Sequence, residues 1–250
     1  MAHPLRQLTI SVGSPPGLNG REGRLDLADF YGRVLGMQVV SEGWLQIAKE
    51  RGNPFTLALD GDGWSDERPP RWPDPEYPQQ MHFDIAVPDL AAAGLLVEDA
   101  GAKLLRDVDH YRVYADPAGH PFCLFEDGEG TTTEPRIAVV TFDCFSPRSL
   151  AAFYEGFLGV EGNPRLVDGA DRVVISLGDD RFPDFGFQHA QFVACRWPDD
   201  AYPAQLHVDY RFVDGGDEAV ERAERLGAIR LPKLADTEIF ADPAGHPFCI

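Results

Sequence analysis

The stretch Ala-Asp-Pro-Ala-Gly-His-Pro-Phe-Cys occupies Ala115 to Cys123 and returns unchanged as Ala241 to Cys249, an offset of 126. Other landmarks recur at nearly the same spacing. Trp72 and Trp197, His82 and His207, and Asp84 and Asp209 are 125 apart, Gly101-Ala102 and Gly227-Ala228 are 126 apart, and Phe30-Tyr31 and Phe153-Tyr154 are 123 apart. A drift of a few residues is what loop insertions produce. Such a period is too long for a solenoid unit, so each copy reads as a domain. Inside the repeated stretch Asp, Pro and Gly fall at positions i, i+1 and i+3 of a type I turn, which sits between two strands.

Working outward, the spacing of Leu27, Phe30, Tyr31, Val34 and Leu35 puts an apolar stripe on one helix face, closed by Gly36. The second copy repeats this with Leu150, Phe153, Tyr154, Phe157, Leu158 and Gly159, with Ser146 as N-cap and Pro147 as first helical residue. Strands are expected at 7–12, 37–41, 44–49 and 55–59, and at 172–177 and 184–188. Pro-rich connectors follow at 68–78 and 196–203, then strands opening at Met81 and Leu206. Helices over about 89–100 and 217–226 end each time in Gly-Ala, and closing strands are expected at 112–115, 122–126, 239–241 and 248–250. Gly128 to Pro135 is polar and suits a linker.

Alternation decides which side chains meet. From Met81 to Val87, Phe83, Ile85 and Val87 should pack under the helices while His82, Asp84 and Ala86 face the concave side. In the second copy Val208, Tyr210 and Phe212 oppose His207, Asp209 and Arg211. The same reasoning turns Cys123 and Phe125 into the concavity, with Cys249 at the matching position and Trp72 or Trp197 at the edge. Apolar walls with a few converging polar groups describe a small-molecule site. Each residue also has a plainer reading. His82 and His207 could simply hydrogen-bond the neighbouring carboxylate, Cys123 and Cys249 could be small buried hydrophobes, and the tryptophans could pin their connectors. His120 and His246, after a turn glycine, read as turn or edge residues, and the acidic run Asp60 to Glu67 as a solvated loop.

Composition bounds the function. The 250 residues carry 22 Lys+Arg against 41 Asp+Glu, a net charge of −19, which repels nucleic acid and anionic membrane surfaces. No long apolar run or signal pattern is present, and the four cysteines form no CxxC. A cytoplasmic protein with reduced thiols is the expectation.

The Phe-Tyr…Leu-Gly helices, the Gln-Gln-Met-His-Phe-Asp entry at Gln79 to Asp84 and the repeated ending together resemble the vicinal oxygen chelate superfamily, in particular its glyoxalase-like, bleomycin-resistance-like domains. The resemblance covers both halves. It implies an α+β fold of two tandem domains, 1–129 and 136–250 with a linker at 130–135. Each would be built of paired βαβββ modules forming a cupped mixed sheet with helices outside, one cup per half. Fold is well specified by these motifs and function is not.

Active metalloenzymes of the superfamily hold a divalent metal with histidines and a glutamate on the first and last strands of the modules. His82 and His207 match one such histidine. Cys123 and Cys249 stand where the glutamate is expected, and Gln7, Thr9, Val139 and Thr141 at the opening-strand positions are weak ligands. Three protein ligands are usual at a catalytic site, so no metal is expected, and if one binds it should sit on His82 or His207. The leading expectation is a binder of a small, partly aromatic molecule through His82, Asp84, Cys123, Phe125 and Trp72, or His207, Asp209, Cys249 and Trp197. The alternatives are a divalent-metal-dependent lyase, isomerase or dioxygenase, and a non-catalytic accessory scaffold. Catalysis stays open, and a homodimer is compatible with the sequence.

Overall fold

A computed structural model describes residues 3–13, 20–60, 71–74, 76, 78–127, 130–191, 194, 204–233 and 237–250, with backbone alone at 20, 21 and 60. Trp197 and the run 61–70 lie outside the described residues. Four modules follow one another. The first holds β1 (Leu5–Gly13), α1 (Gly20–Leu35), β2 (Gln38–Ser41), β3 (Gln46–Ala48) and β4 (Phe55–Asp60). The second holds β5 (Met81–Val87), α2 (Leu90–Asp99), β6 (Lys103–Val108), β7 (Tyr111–Ala115) and β8 (Pro121–Glu126). The third holds β9 (Arg136–Cys144), α3 (Pro147–Leu158), β10 (Arg165–Asp168), β11 (Arg172–Ile175) and β12 (Asp184–His189). The fourth holds β13 (Leu206–Phe212), α4 (Asp217–Arg225), β14 (Ile229–Arg230), β15 (Ile239–Ala241) and β16 (Pro247–Cys249). β6, β10 and β14 are additions to the strands expected from sequence.

The strands form two sheets of eight, in the orders β14-β15-β16-β13-β1-β4-β3-β2 and β10-β11-β12-β9-β5-β8-β7-β6. The fold is α+β, as expected, but the expectation of one cup per half is overturned. The second module joins the third, and the first joins the fourth. At each junction the opening strands meet antiparallel, β5 with β9 and β1 with β13. Connector length gives a physical reason. Residues 127–135 are a short link from β8 to β9, which seats the third module beside the second, whereas 61–80 is a longer crossing between the first and second. A reciprocal pair marks the pseudo-twofold axis between the sheets: the Gln80 backbone N–H donates to Gln205 Oε1 at 2.8 Å, and the Gln205 backbone N–H to Gln80 Oε1 at 3.1 Å.

The convex faces share one core. Phe30 and Tyr31 of α1 touch Phe122 and Phe83 of the second module, while Tyr154 of α3 stacks on Phe187 and Phe157 meets Tyr210 and Phe248 of the other sheet. The predicted stripes on α1 and α3 are wholly buried. Pro147 opens α3, and Gly36 and Gly159 close the first and third helices with φ of 64° and 69°, the left-handed conformation glycine adopts without strain.

What makes each sequence half cohere is the repeated turn. Gly119 N–H donates to Asp116 O, closing the expected turn; Asp116 Oδ1 accepts from the Ala118 and His120 backbones, and Oδ2 from Tyr31 Oη at 2.8 Å. Asp242, Tyr154 and His246 repeat the arrangement. His120 and His246 are therefore not edge residues: at 2% and 1% exposure they are buried clasps on these aspartates. Burial and the adjacent Asp116 push the Tyr31 phenol well above its ordinary range. No described helix is long and apolar enough to cross a membrane, and Cys123, Cys144 and Cys249 are not in disulfides.

Candidate functional site

Register places the concave side chains in rows. Opposite one another across the sheet of the second and third modules lie Val113, Cys123, Asp84 and Val139, and beside that row His82, Thr141 and Gly186. Val113, Cys123, Asp84, Val139 and His82 line a cavity of about 480 Å³ together with Trp72, Arg106, Tyr111, Phe125, Arg172 and Gln188. His82, Asp84, Cys123, Phe125 and Trp72, all named from sequence, therefore share one cavity. Arg106, Arg172 and Gln188 were missed.

The polar centre is buried. His82 and Asp84 are 4% and 7% exposed. His82 Nε2 lies 3.5 Å from Asp84 Oδ1, and its Nδ1 lies 3.2 Å from Gln79 Nε2 and 3.7 Å from Asp143 Oδ1. Asp84 Oδ2 accepts from Thr141 Oγ1 at 2.7 Å and from Arg172 Nη2 at 2.6 Å, while Arg172 Nη1 donates to Gln188 Oε1. Gly186 makes room for this. A Cβ there would stand 2.7 Å from Thr141 Oγ1 and 2.9 Å from Val139 Cγ1, and 3.5 Å from the guanidinium.

Burial alone would drive His82 towards neutrality, but the Asp84 charge and hydrogen bond, joined by Cys123, hold its pKa well above the ordinary imidazole value. Burial likewise opposes the Asp84 carboxylate and is outweighed by His82, Arg172 and Thr141, so its pKa lies well below the usual range. Burial pushes the Cys123 thiol up, and the Asp143 carboxyl too. These shifts favour an imidazolium–carboxylate–guanidinium cluster beside a neutral thiol.

The other cup repeats the triad without the arginine. His207 Nε2 lies 3.6 Å from Asp209 Oδ2, which also accepts from Ser11 Oγ at 3.0 Å. His207, Asp209 and Cys249 gather their donor atoms within 4.8 Å, as do His82, Asp84 and Cys123. Burial raises the Asp209 pKa, only partly offset by His207 and Ser11. Cys249 packs with Ala204, Ile239 and Leu231 in a small apolar cluster separate from the main core. Trp197, named from sequence for this cup, lies outside the described residues.

A divalent ion fits the first cup poorly. The Arg172 guanidinium already holds Asp84 Oδ2, His82 favours its protonated form, and metal ligation requires a neutral imidazole and a thiolate. In the second cup the same three donor types face one another, and although the Arg211 charge also acts on Asp209, no guanidinium or ammonium among the described residues lies within ion-pairing distance of it, so the donor chemistry fits better there.

Four βαβββ modules in tandem, paired into two cupped sheets with a His/Asp/Cys cluster in each, define a duplicated cup-fold protein of the vicinal oxygen chelate superfamily. A family model described as a glyoxalase-like domain matches residues 22–125 and again 139–250, and the chain belongs to that family. Among solved structures it is similar to glyoxalase I from Zea mays, at 18% identity and a TM-score of 0.62 over 99% of this chain and 92% of that one. It is also similar to a putative dioxygenase from Bacillus subtilis subsp. subtilis str. 168, at 17% identity and a TM-score of 0.58 over 99% and 84%. At these identities the likeness is one of fold. No curated protein matches the chain.

Proposed function

We propose that this glyoxalase-like protein binds a small, partly aromatic organic molecule in the cup shared by the second and third modules, without a metal there. The observation that carries this is the 480 Å³ cavity, walled by Trp72, Tyr111 and Phe125 around a cluster whose carboxylate is held by an arginine. That volume is in the range of drug-sized ligands, and the mixture of aromatic wall and few polar groups is what such sites use. Asp84, neutralised by His82 and Arg172, orients the donors instead of ligating an ion. Calorimetric titration with a bicyclic aromatic probe, naphthalene-2-carboxylate, tests the reading. We expect saturable one-to-one binding that Val113→Trp abolishes by filling the cavity while the fold persists by circular dichroism. No heat of binding from this probe or its amide would reject it.

A second reading, a divalent-metal centre, is favoured in the other cup by the convergence of His207, Asp209 and Cys249 within 4.8 Å. Those side chains would hold the ion, which when bound would supply Lewis acidity to a substrate oxygen. Elemental analysis of protein loaded with zinc then dialysed separates the readings: about one ion per chain, lost in His207→Ala and kept in His82→Ala, supports this centre.

A further inference from the structure

The wall of the first cup carries an arginine that is aimed by a backbone irregularity. β6 pairs with β7 so that Leu104 faces Tyr114, but Arg106, not Leu105, faces Val113. One extra residue is inserted there. Such a bulge redirects the side chains that follow it. Without it, alternation from Leu104 would put Leu105 opposite Val113 and on the cavity side. With it, Arg106 stands in the row of Val113, Cys123 and Asp84. The second cup shows the unbulged outcome: Ile229 faces Ala241 and Arg230 faces Phe240, so that Leu231 lies opposite Ile239 and joins the apolar cluster.

Arg106 is exposed at the rim, and its guanidinium lies over the Trp72 ring at 4.7 Å from the centroid. Among the described residues it has no carboxylate within ion-pairing distance. The wider charge pattern points the same way. In a chain with 41 acidic and 22 basic residues, the described cavity lining contains two arginines against a single carboxylate, Asp84. Arg172 is already engaged by that carboxylate; Arg106 is the cation left over. A guanidinium presents a planar fork matched to a carboxylate, and it keeps a flat aromatic face for stacking.

We infer that the ligand of this cup is an aromatic carboxylate, its ring lying between Trp72, Tyr111 and Phe125 and its anionic group held at the mouth by Arg106. This inference rests on the binding reading above and narrows it to a substrate class. Two probes of one shape, naphthalene-2-carboxylate and naphthalene-2-carboxamide, separate the two claims. Wild-type protein should bind the carboxylate about 10-fold more tightly than the amide, with the ratio shrinking as salt is raised. Arg106→Leu, which copies the wall of the other cup, should weaken the carboxylate about 5- to 10-fold and leave the amide within about twofold. Arg106→Lys should recover part of the preference by restoring charge without the planar fork. Equal affinity of wild-type protein for both probes, or a carboxylate preference that survives Arg106→Leu, overturns the inference and leaves the binding reading standing. If neither probe binds, the binding reading itself falls and this one with it.

Discussion

His82, Asp84 and Cys123 in one cup and His207, Asp209 and Cys249 in the other are the same side chains at matching registers, yet the walls around them differ in charge and in filling. Counting outward from the two aspartates, Thr9 corresponds to Val139, Ser11 to Thr141, Ala58 to Gly186, and Trp44 to Arg172. On the opposite flank Leu231 and Ile239 correspond to Arg106 and Val113. One cup is therefore an open cavity with a guanidinium on each side of its triad. The other has its cysteine packed among Ala204, Ile239 and Leu231. The contrast teaches that a triad alone does not set the chemistry of its site. The same imidazole, carboxylate and thiol form an ion cluster where Arg172 donates to the carboxylate at 2.6 Å, and a candidate donor set where no arginine among the described residues makes such a contact, the Arg211 charge acting on Asp209 only from a distance.

Removing that arginine should break the contrast most visibly. Arg172→Met strands Asp84 in a buried setting with one cation fewer, and we expect about 2–3 kcal/mol of lost stability in urea unfolding. The figure is held below that of a fully buried pair because a third of the Arg172 side chain is exposed, 33%. Asp84→Asn should also destabilise, and the double variant should lose less than the two singles combined because they share one interaction. Asp209, whose carboxylate is disfavoured by burial, should tolerate Asn at a cost under about 1 kcal/mol when measured in chelator. Equal losses at Asp84 and Asp209 would mean that Arg172 does not distinguish the cups.

A backbone-scale version exchanges Gly186 and Ala58. Gly186→Ala introduces a methyl 2.7 Å from Thr141 Oγ1 and 2.9 Å from Val139 Cγ1, both buried or half-buried neighbours in the sheet. Overpacking of this kind costs about 1–3 kcal/mol, and here it should also push Arg172 off Asp84. Ala58→Gly, at the matching position, should cost only about 1 kcal/mol through lost packing and added chain entropy. Thermal unfolding of the pair checks the order, and a milder effect at Gly186 than at Ala58 would contradict the close approach.

Much of this was legible in the sequence, and the gaps have physical causes. Period-2 alternation in Met81 to Val87 correctly turned His82 and Asp84 inward, because a regular strand buried on both faces leaves no other arrangement. The helix stripes around Phe30-Tyr31 and Phe153-Tyr154 followed from 3.6-residue spacing alone. Arg106 could not be found that way, since a bulge breaks the alternation that exposes a strand: Lys103 to Val108 reads as no clean pattern. Arg172 opens a short strand and reaches Asp84 from 88 residues away. No local pattern encodes that contact, and Trp44, the equivalent position in the other sheet, shares no chemistry with Arg172. The pairing of modules across halves is equally non-local, and only the contrast between connectors 61–80 and 127–135 hinted at it. His120 and His246 were misjudged because a residue after a turn glycine is usually exposed, whereas here the turn folds inward onto the buried Asp116 and Asp242.

The smallest expected effect is the dependence of stability on pH, and it bears on the open cup's triad directly. His82 has its folded pKa raised well above the ordinary value, by Asp84 and Cys123 against the opposing pull of burial. A group of this kind binds its proton more tightly when folded. Its contribution is thus complete below about pH 6.5, the unfolded imidazole value, and fades as pH rises through the folded pKa. Asp84, lowered by the same contact, contributes in the opposite window: its share is present above the ordinary carboxylate range and is lost as acid approaches the folded value. His82→Gln should therefore lower stability by roughly 1 kcal/mol more at about pH 6 than at about pH 9, measured by urea unfolding at each pH. A gap between variant and wild type that stays constant over that range would mean that folding leaves the imidazole's proton affinity unchanged, and a gap that widens towards pH 9 would mean that the imidazole is neutral when folded. The ion cluster would then reduce to Asp84 and Arg172.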